Sequence, residues 1–376
     1  MSNREKYTQK SQRWIVKIGS ALLTQDGKGL DYQAIADWAG QMAELRQQGV
    51  EVVLVSSGSI AEGMSRMGWA SRPKALPELQ AAAAIGQTGL IQAYQTEFQK
   101  YGVQAAQILL THDDVSHRLR YLNARNTLRT LIRLGTLPIV NENDTVAFEE
   151  IRLGDNDTLG AVVASLIEAD LLVILTDQKG LYDQDPRHNP DAEFISEGVA
   201  MNPDYVSFAG AAGTAIGSGG MATKVQAARR AAKAGCATII VSGREDQVLS
   251  RLRKGESLGT LLVPEDSKLA ARKQWIAGQT QANGTLFLDE GAVDALLSGG
   301  KSLLPVGVER CTGQFKRGDR VNCADTTGRV IARGLCNYSD ADVVKICKTP
   351  SHRIADILGY MGEKELIHRD NLVLED

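Results

Sequence analysis

An α/β fold, with a doubly wound, mainly parallel sheet sandwiched by helices, is what this sequence predicts for its first two-thirds. A small β-rich domain is predicted to follow. Three observations lead there. Short apolar runs alternate with amphipathic helical patterns from about residue 14 to residue 263. Several of those runs are continuous, as in strands buried on both faces. Near Pro264 the rhythm stops, and short strands with tight turns replace it.

The elements follow in order. Residues 14–18 are strand-like, although Lys17 interrupts them. Ile35, Trp38, Met42 and Leu45 fall on one helical face, and Gly49 ends that helix. Residues 50–55 form a β-branched run, hence a buried strand. A helix over 79–101 precedes a strand at 105–110. A helix over 121–134, backed by Gly135, precedes a strand at 137–140. The pattern repeats with helix 158–167 and strand 171–175, then helix 221–233 and strand 237–241, and closes with a short helix at 248–254 and a strand at 260–263. We place a first domain at 1–265, a linker at 266–281 and a β-rich domain at 282–376. In the last, 321–324 and 330–332 flank Asp325-Thr326-Thr327-Gly328, a hairpin signal.

Composition bounds the function. The 376 residues are 43% hydrophobic and 23% charged, with a net charge of −3, which speaks against a chain devoted to gripping nucleic acid. Residues 1–13 are polar and lack the apolar core of a signal peptide, and no apolar run approaches a membrane span. A cytoplasmic location with no membrane partner is expected. Cys236, Cys311, Cys323, Cys336 and Cys347 form no C-x-x-C pair. They read as reduced thiols, with no disulfide frame and no metal site.

In parallel sheets of this kind the ligand lies beyond the carboxyl ends of the strands, so the residues there carry the functional information. Lys17 precedes Gly19-Ser20; read alone, an outward lysine on an edge strand fits it equally well. S-S-G-S (56–59) suits either an ordinary turn or a nest of N–H groups for an anion. N-E-N-D (141–144) places four polar residues straight after a strand, at odds with a core and suited to the ammonium of an amino acid. In G-D-N-D-T (154–158) the simple reading is a helix cap by Asp157 or Thr158, and an EF-hand is excluded by spacing. T-D-Q-K-G-L-Y (176–182) is either a glycine turn or a nucleotide loop. G-S-G-G-M-A-T-K (217–224) opens a helix, and its free N–H groups, positive dipole end and Lys224 form the strongest phosphate signal in the chain. It is not a Walker A loop. Gly217-x-Gly219-x-x-Ala222 also matches a dinucleotide pattern, with Glu245 downstream. Residues 208–216 are too rich in Ala and Gly for the strand that pattern needs, so a nicotinamide-dependent oxidoreductase is kept only as an alternative.

Taken together and in this order, V-K-I-G-S (16–20), S-S-G-S-I-A (56–61), N-E-N-D, G-D-N-D, T-D-Q-K-G-L-Y and G-S-G-G-M-A-T-K resemble the amino-acid kinase family. The pairing of N-E-N-D with G-D-N-D is most similar to the branch that acts on glutamate. T-D-x-x-G-L-Y is shared with aspartokinases and uridylate kinases, so it speaks for fold and ATP more than for substrate. Ser218 stands where a threonine is common, with the hydroxyl kept. The tail, through Gly313-x-Phe315-x-x-Gly318-Asp319 and Gly328-x-Val330-Ile331-Ala332-x-Gly334, resembles a PUA domain, a small β-rich barrel. The resemblance runs from about Trp14 to the C-terminus.

This resemblance implies ATP-dependent phosphorylation of the γ-carboxylate of L-glutamate, the first step of proline biosynthesis, with Mg²⁺ accompanying ATP. It implies Lys17 and Lys224 as catalytic lysines, with Asp157 orienting them. Ser57, Asp144 and Asn156 would bind glutamate, with Asn141 and Asp155 as further contacts. Lys17, Thr176, Asp177, Ser218, Gly219, Gly220, Met221, Ala222, Thr223 and Lys224 would bind ATP. It also implies feedback inhibition by proline, a homo-oligomer, delivery of the product to glutamyl phosphate reductase, and RNA as what a PUA-like domain meets. The runner-up is another member of the family, such as an aspartokinase. From a different class, the chain would be an RNA-binding regulator acting through its tail. All five histidines lie outside the motifs, as suits an acceptor carboxylate that is already ionised at neutral pH and needs no base.

Overall fold

The computed structural model describes residues 2–24, 29–146, 155–209, 220–265, 282–360 and 362–375. It divides into two compact units, Met1–Asp266 and Ser267–Asp376. The expected linker, 266–281, lies outside the described residues.

Among the described residues, the first unit is built on eight strands: β1 (Arg13–Ile18), β2 (Glu51–Ser56), β3 (Ala105–Leu110), β4 (Leu137–Glu142), β5 (Leu171–Thr176), β6 (Glu197–Val199), β7 (Ala237–Ser242) and β8 (Thr260–Val263). Their order across the sheet is β3-β4-β2-β1-β5-β7-β8-β6. The first six in that order are mutually parallel, and β8 runs antiparallel to β7 with β6 parallel to β8. The sheet is therefore mainly parallel, with a reversed margin. Strand β6 went unpredicted because Glu-Gly-Val offers neither an apolar run nor an alternation.

Side-chain alternation along β1 sorts its residues into two cores. Trp14, Val16 and Ile18 join Leu54, Trp38, Met42, Tyr94 and Phe98 on one face. That face is covered by the helices Tyr32–Gln47 and Leu76–Gln99. Ile15 joins Val53, Val55, Leu172 and Ile174 on the other face, under the helices Arg118–Arg133, Asn156–Ile167 and Met221–Ala232. Burying each such Val, Leu or Ile contributes about 1.5–3 kcal/mol, so strand position is strongly specified. Lys17 shares the parity of Ile15. It therefore points beneath the helices that start at Asn156 and Met221.

Two readings from the sequence change here. The edge-strand account of Lys17 fails, because β1 lies between β2 and β5 and Lys17 is only 5% exposed. The N-E-N-D segment is not wholly a loop after its strand. Strand β4 extends through Asn141 and Glu142, and both are buried.

Among the described residues, the second unit has five strands: β9 (Gly284–Leu288), β10 (Val308–Gly313), β11 (Arg320–Ala324), β12 (Val330–Leu335) and β13 (Leu372–Leu374), ordered β10-β9-β11-β12-β13. The expected hairpin is β11–β12. Asp325 Oδ1 accepts from the N–H of Thr327 and Arg329, and Gly328 takes φ +92°. Leu286, Leu288, Val321, Cys323, Val343 and Ile346 form its core. The helices Glu290–Gly299, Asp340–Ile346 and Ile354–Leu358 accompany the sheet. All five cysteines are free thiols. No described helix is long and apolar enough to cross a membrane.

Candidate active site

The carboxyl ends of β1, β2, β4 and β5 meet the start of the helix Asn156–Ile167. Asp155 caps this helix by accepting from the N–H of Thr158 at 2.7 Å. The cap is thus Asp155, and neither Asp157 nor Thr158. Capping by its neighbour leaves the Asp157 side chain for other work. Gly160, one turn on, lets the helix lie close to β1: a Cβ there would sit 3.7 Å from Lys17 Cβ and 3.2 Å from Leu172 Cδ1.

Asp157 is fully buried and holds two ammonium groups, one on each oxygen. Lys17 Nζ lies 2.5 Å from Oδ1 and Lys224 Nζ 3.1 Å from Oδ2. Thr223 Oγ1 also donates to Oδ2 at 2.9 Å. Burial, the largest influence on Asp157, pushes its carboxyl up. The charges of Lys17 and Lys224, with their hydrogen bonds, outweigh it and hold Asp157 down at about 2. Asp155 goes the other way, raised by burial and then by the charge of Asp157. Two cations on one anion leave the trio with a surplus positive charge in a buried place. Such a surplus calls for an anion.

Beside the trio lies a cavity of about 340 Å³, lined in part by Thr176, Asp177, Tyr182, Gly220, Met221 and Lys224. That size lies within the range of small-molecule pockets. The helix Met221–Ala232 starts there with Gly220 at its N-cap and no side-chain cap. Its first N–H groups and dipole face any anion that enters. Thr176 Oγ1 donates to Asp177 Oδ1 at 3.1 Å. Ala222 and Thr223 lie in the first turn of that helix and do not line the cavity; Thr223 instead braces Asp157. Ser218 and Gly219 lie outside the described residues, as do Gly217 and residues 210–216 ahead of it, while Phe208 ends the short helix Asp204–Phe208. Phe208, Ala209 and Arg187 also line the cavity. Nothing in the sequence marks them, because residues 183–209 carry no periodic pattern.

On the other side of Asp157 is a cluster of neutral polar groups. Asn156 Nδ2 donates to Ser57 Oγ at 2.7 Å, to Asn141 Oδ1 at 3.0 Å and to the Ser56 carbonyl at 3.2 Å. Asp144 is near, with Ser59 Oγ donating to its Oδ2 at 3.4 Å. The expected substrate ligands Ser57, Asn156 and Asn141 are thus brought together, with Asp144 at their margin. Asn156 and Asp157 are consecutive, and their side chains diverge. One joins the neutral cluster, the other the lysines. A single helix start therefore couples two half-sites.

Phosphate-type and amino-acid-type features at the ends of parallel strands, joined in this way, define a small-molecule kinase. Residues 12–242 match the model of the amino acid kinase family and residues 284–358 that of the PUA domain, and the chain belongs to the amino acid kinase family. Within it, the chain is 61% identical over 365 residues to the glutamate 5-kinase of Thioalkalivibrio sulfidiphilus, covering 97% of each chain. It is 61% identical over 364 residues to the glutamate 5-kinase of Stutzerimonas stutzeri, covering 97% of this chain and 98% of the relative. It is also 58% identical over 376 residues to that of Hydrogenovibrio crunogenus, covering all of both.

Proposed function

We propose that this chain transfers the γ-phosphoryl group of ATP to the side-chain carboxylate of L-glutamate, giving L-glutamyl 5-phosphate and ADP, the first step towards proline. The observation that carries this reading is the Lys17–Asp157–Lys224 trio, set between a nucleotide-sized cavity and the Ser57–Asn156–Asn141 cluster. Relatives of the same length named for this activity support the choice of glutamate.

The chemistry needs little else. A glutamate carboxylate is ionised at neutral pH, so no base is required. The obstacle is repulsion between this anion and the triphosphate. One carboxylate oxygen attacks the γ-phosphorus in line, and the bond from that phosphorus to the β,γ-bridging oxygen breaks as ADP leaves. Lys17 and Lys224 neutralise the charge on the group in transit, and the uncapped helix at Met221 cradles the phosphates. Asp157 holds both lysines in place. Thr176 and Asp177, with Gly220 and Met221, take up the nucleotide. Magnesium supplies further charge neutralisation when ATP is bound. Asp157 is already engaged by two lysines, and no described cluster of three or more acids, histidines or cysteines fits a metal. A cation held chiefly by the phosphates suits this donor set.

The cluster reads a zwitterion. Among the described residues, Asn156 Oδ1 accepts no hydrogen bond and the Ser57 hydroxyl donates none. The first suits an ammonium and the second an α-carboxylate, with Asp144 adding negative charge near the ammonium. The test is ADP release with L-glutamate against L-aspartate, N-acetylglutamate and UMP, with hydroxylamine trapping the acyl phosphate. Faster turnover with any competitor would overturn the reading.

A further inference from the structure

Asn156 can serve an ammonium only if its amide is the right way round, and the polarity of that amide is set from outside the cluster. Asn156 spends its Nδ2 on Asn141 Oδ1, Ser57 and Ser56. Asn141 Oδ1 also accepts from the Glu142 N–H at 2.9 Å, and Asn141 Nδ2 donates to Gln87 Oε1 at 2.8 Å. Gln87 comes from the helix Leu76–Gln99, which belongs to neither half-site. It lies four residues after Ala83 and three before Leu90, both buried, so it is a polar residue on the apolar stripe of its helix. That helix is locked against the helix Ser59–Arg66 by glycines. A Cβ on Gly86 would fall 1.8 Å from the Ser59 carbonyl oxygen, and one on Gly63 1.8 Å from that of Ala82. Such backbone contact fixes the height of Gln87 over Asn141.

We infer that Gln87 is a positioning residue: its side-chain carbonyl orients the Asn141 amide, which orients the Asn156 amide, so that a carbonyl meets the substrate ammonium. Without that acceptor, the buried Asn141 Nδ2 keeps only Ser59 Oγ at 3.4 Å, and the Glu142 N–H is left as the sole anchor on the other end. The inverted pair then becomes accessible, with Asn156 presenting N–H groups to the ammonium. The selectivity at stake is for the α-amino group, so glutarate, which lacks it, is the probe. This inference rests on the glutamate reading above.

The experiment compares L-glutamate and glutarate in wild-type, Q87M and Q87E enzymes. Losing the acceptor leaves a buried donor unsatisfied, a penalty worth about tenfold or more. Q87M should lower kcat/KM for glutamate by about tenfold or more, mainly through KM. The KM for ATP and kcat/KM for glutarate should move by less than about threefold. Q87E keeps the acceptor oxygen and should hold most of the glutamate-to-glutarate ratio. Equal losses on both substrates, or an unchanged ratio in Q87M, would overturn the inference. Should Q87M fail to fold, loss of the ratio in Q87E would overturn it as well. A wild-type enzyme that turns over neither acid would sink the glutamate reading itself, whatever Gln87 does.

Discussion

Replacing Asp157 by asparagine keeps the shape of the trio and removes its only negative charge. The two ammonium contacts, at 2.5 and 3.1 Å, are worth roughly 7 and roughly 5 kcal/mol at an effective dielectric near 20, a gross loss of about 12 kcal/mol. Part of it returns as water enters, and breaking a buried pair from one side typically costs about 3–5 kcal/mol net. Urea unfolding followed by tryptophan fluorescence, with Trp14 and Trp38 buried in the first unit, should show a loss of that size. Saturating ATP should stabilise D157N more than it stabilises wild type, because phosphates replace the missing anion. Turnover should fall by about 10²-fold, since the lysines lose the group that aims them. An apo stability within about 0.5 kcal/mol of wild type would refute the claim that these three charges are buried together.

Other outcomes follow from the same geometry. Lys224→Ala should lower kcat by about 10²-fold or more, and an unchanged kcat would remove Lys224 from the reaction. Asp144→Ala should raise the KM for glutamate more than that for ATP, and equal effects would contradict a place for it at the amino acid. The Asp157 carboxyl is depressed from 3.8 to about 2. Its stabilisation is therefore present above about pH 4 and is lost as pH falls towards 2, on the order of 2 kcal/mol in all. Denaturation curves between pH 5 and pH 2.5 should show this loss in wild type and not in D157N. Gly86→Ala should destabilise the first unit by about 1–3 kcal/mol through overpacking against Ser59, read as a drop in Tm.

Much of this was legible in the sequence because parallel strands are buried on both faces. Short apolar runs marked seven of the eight described strands of the first unit, and polar residues after those runs marked the ligand end. Lys17 was ambiguous until its neighbours were known, because strand order is not written in periodicity. The helix cap fell to Asp155, where Asp157 or Thr158 was the simple reading, for a local reason: a cap is decided by which side chain reaches the third N–H. Gln87 did leave a trace, as a polar side chain on an otherwise apolar stripe. Its meaning depended on Asn141, fifty-four residues away in sequence. The cavity wall around Phe208 left no trace, since a helix as short as Asp204–Phe208 carries no periodic signal.

The consecutive placement of Asn156 and Asp157 limits how such an enzyme could be retargeted. Sliding or rotating their helix to welcome a longer or shorter acceptor would drag the anchor of both lysines with it. On the function proposed above, recognition of the acceptor and alignment of the donor are geared together at one peptide bond. New acceptors would have to be accommodated from the β2 and β4 side, where Ser57 and Asn141 reside, leaving that hinge-pin untouched.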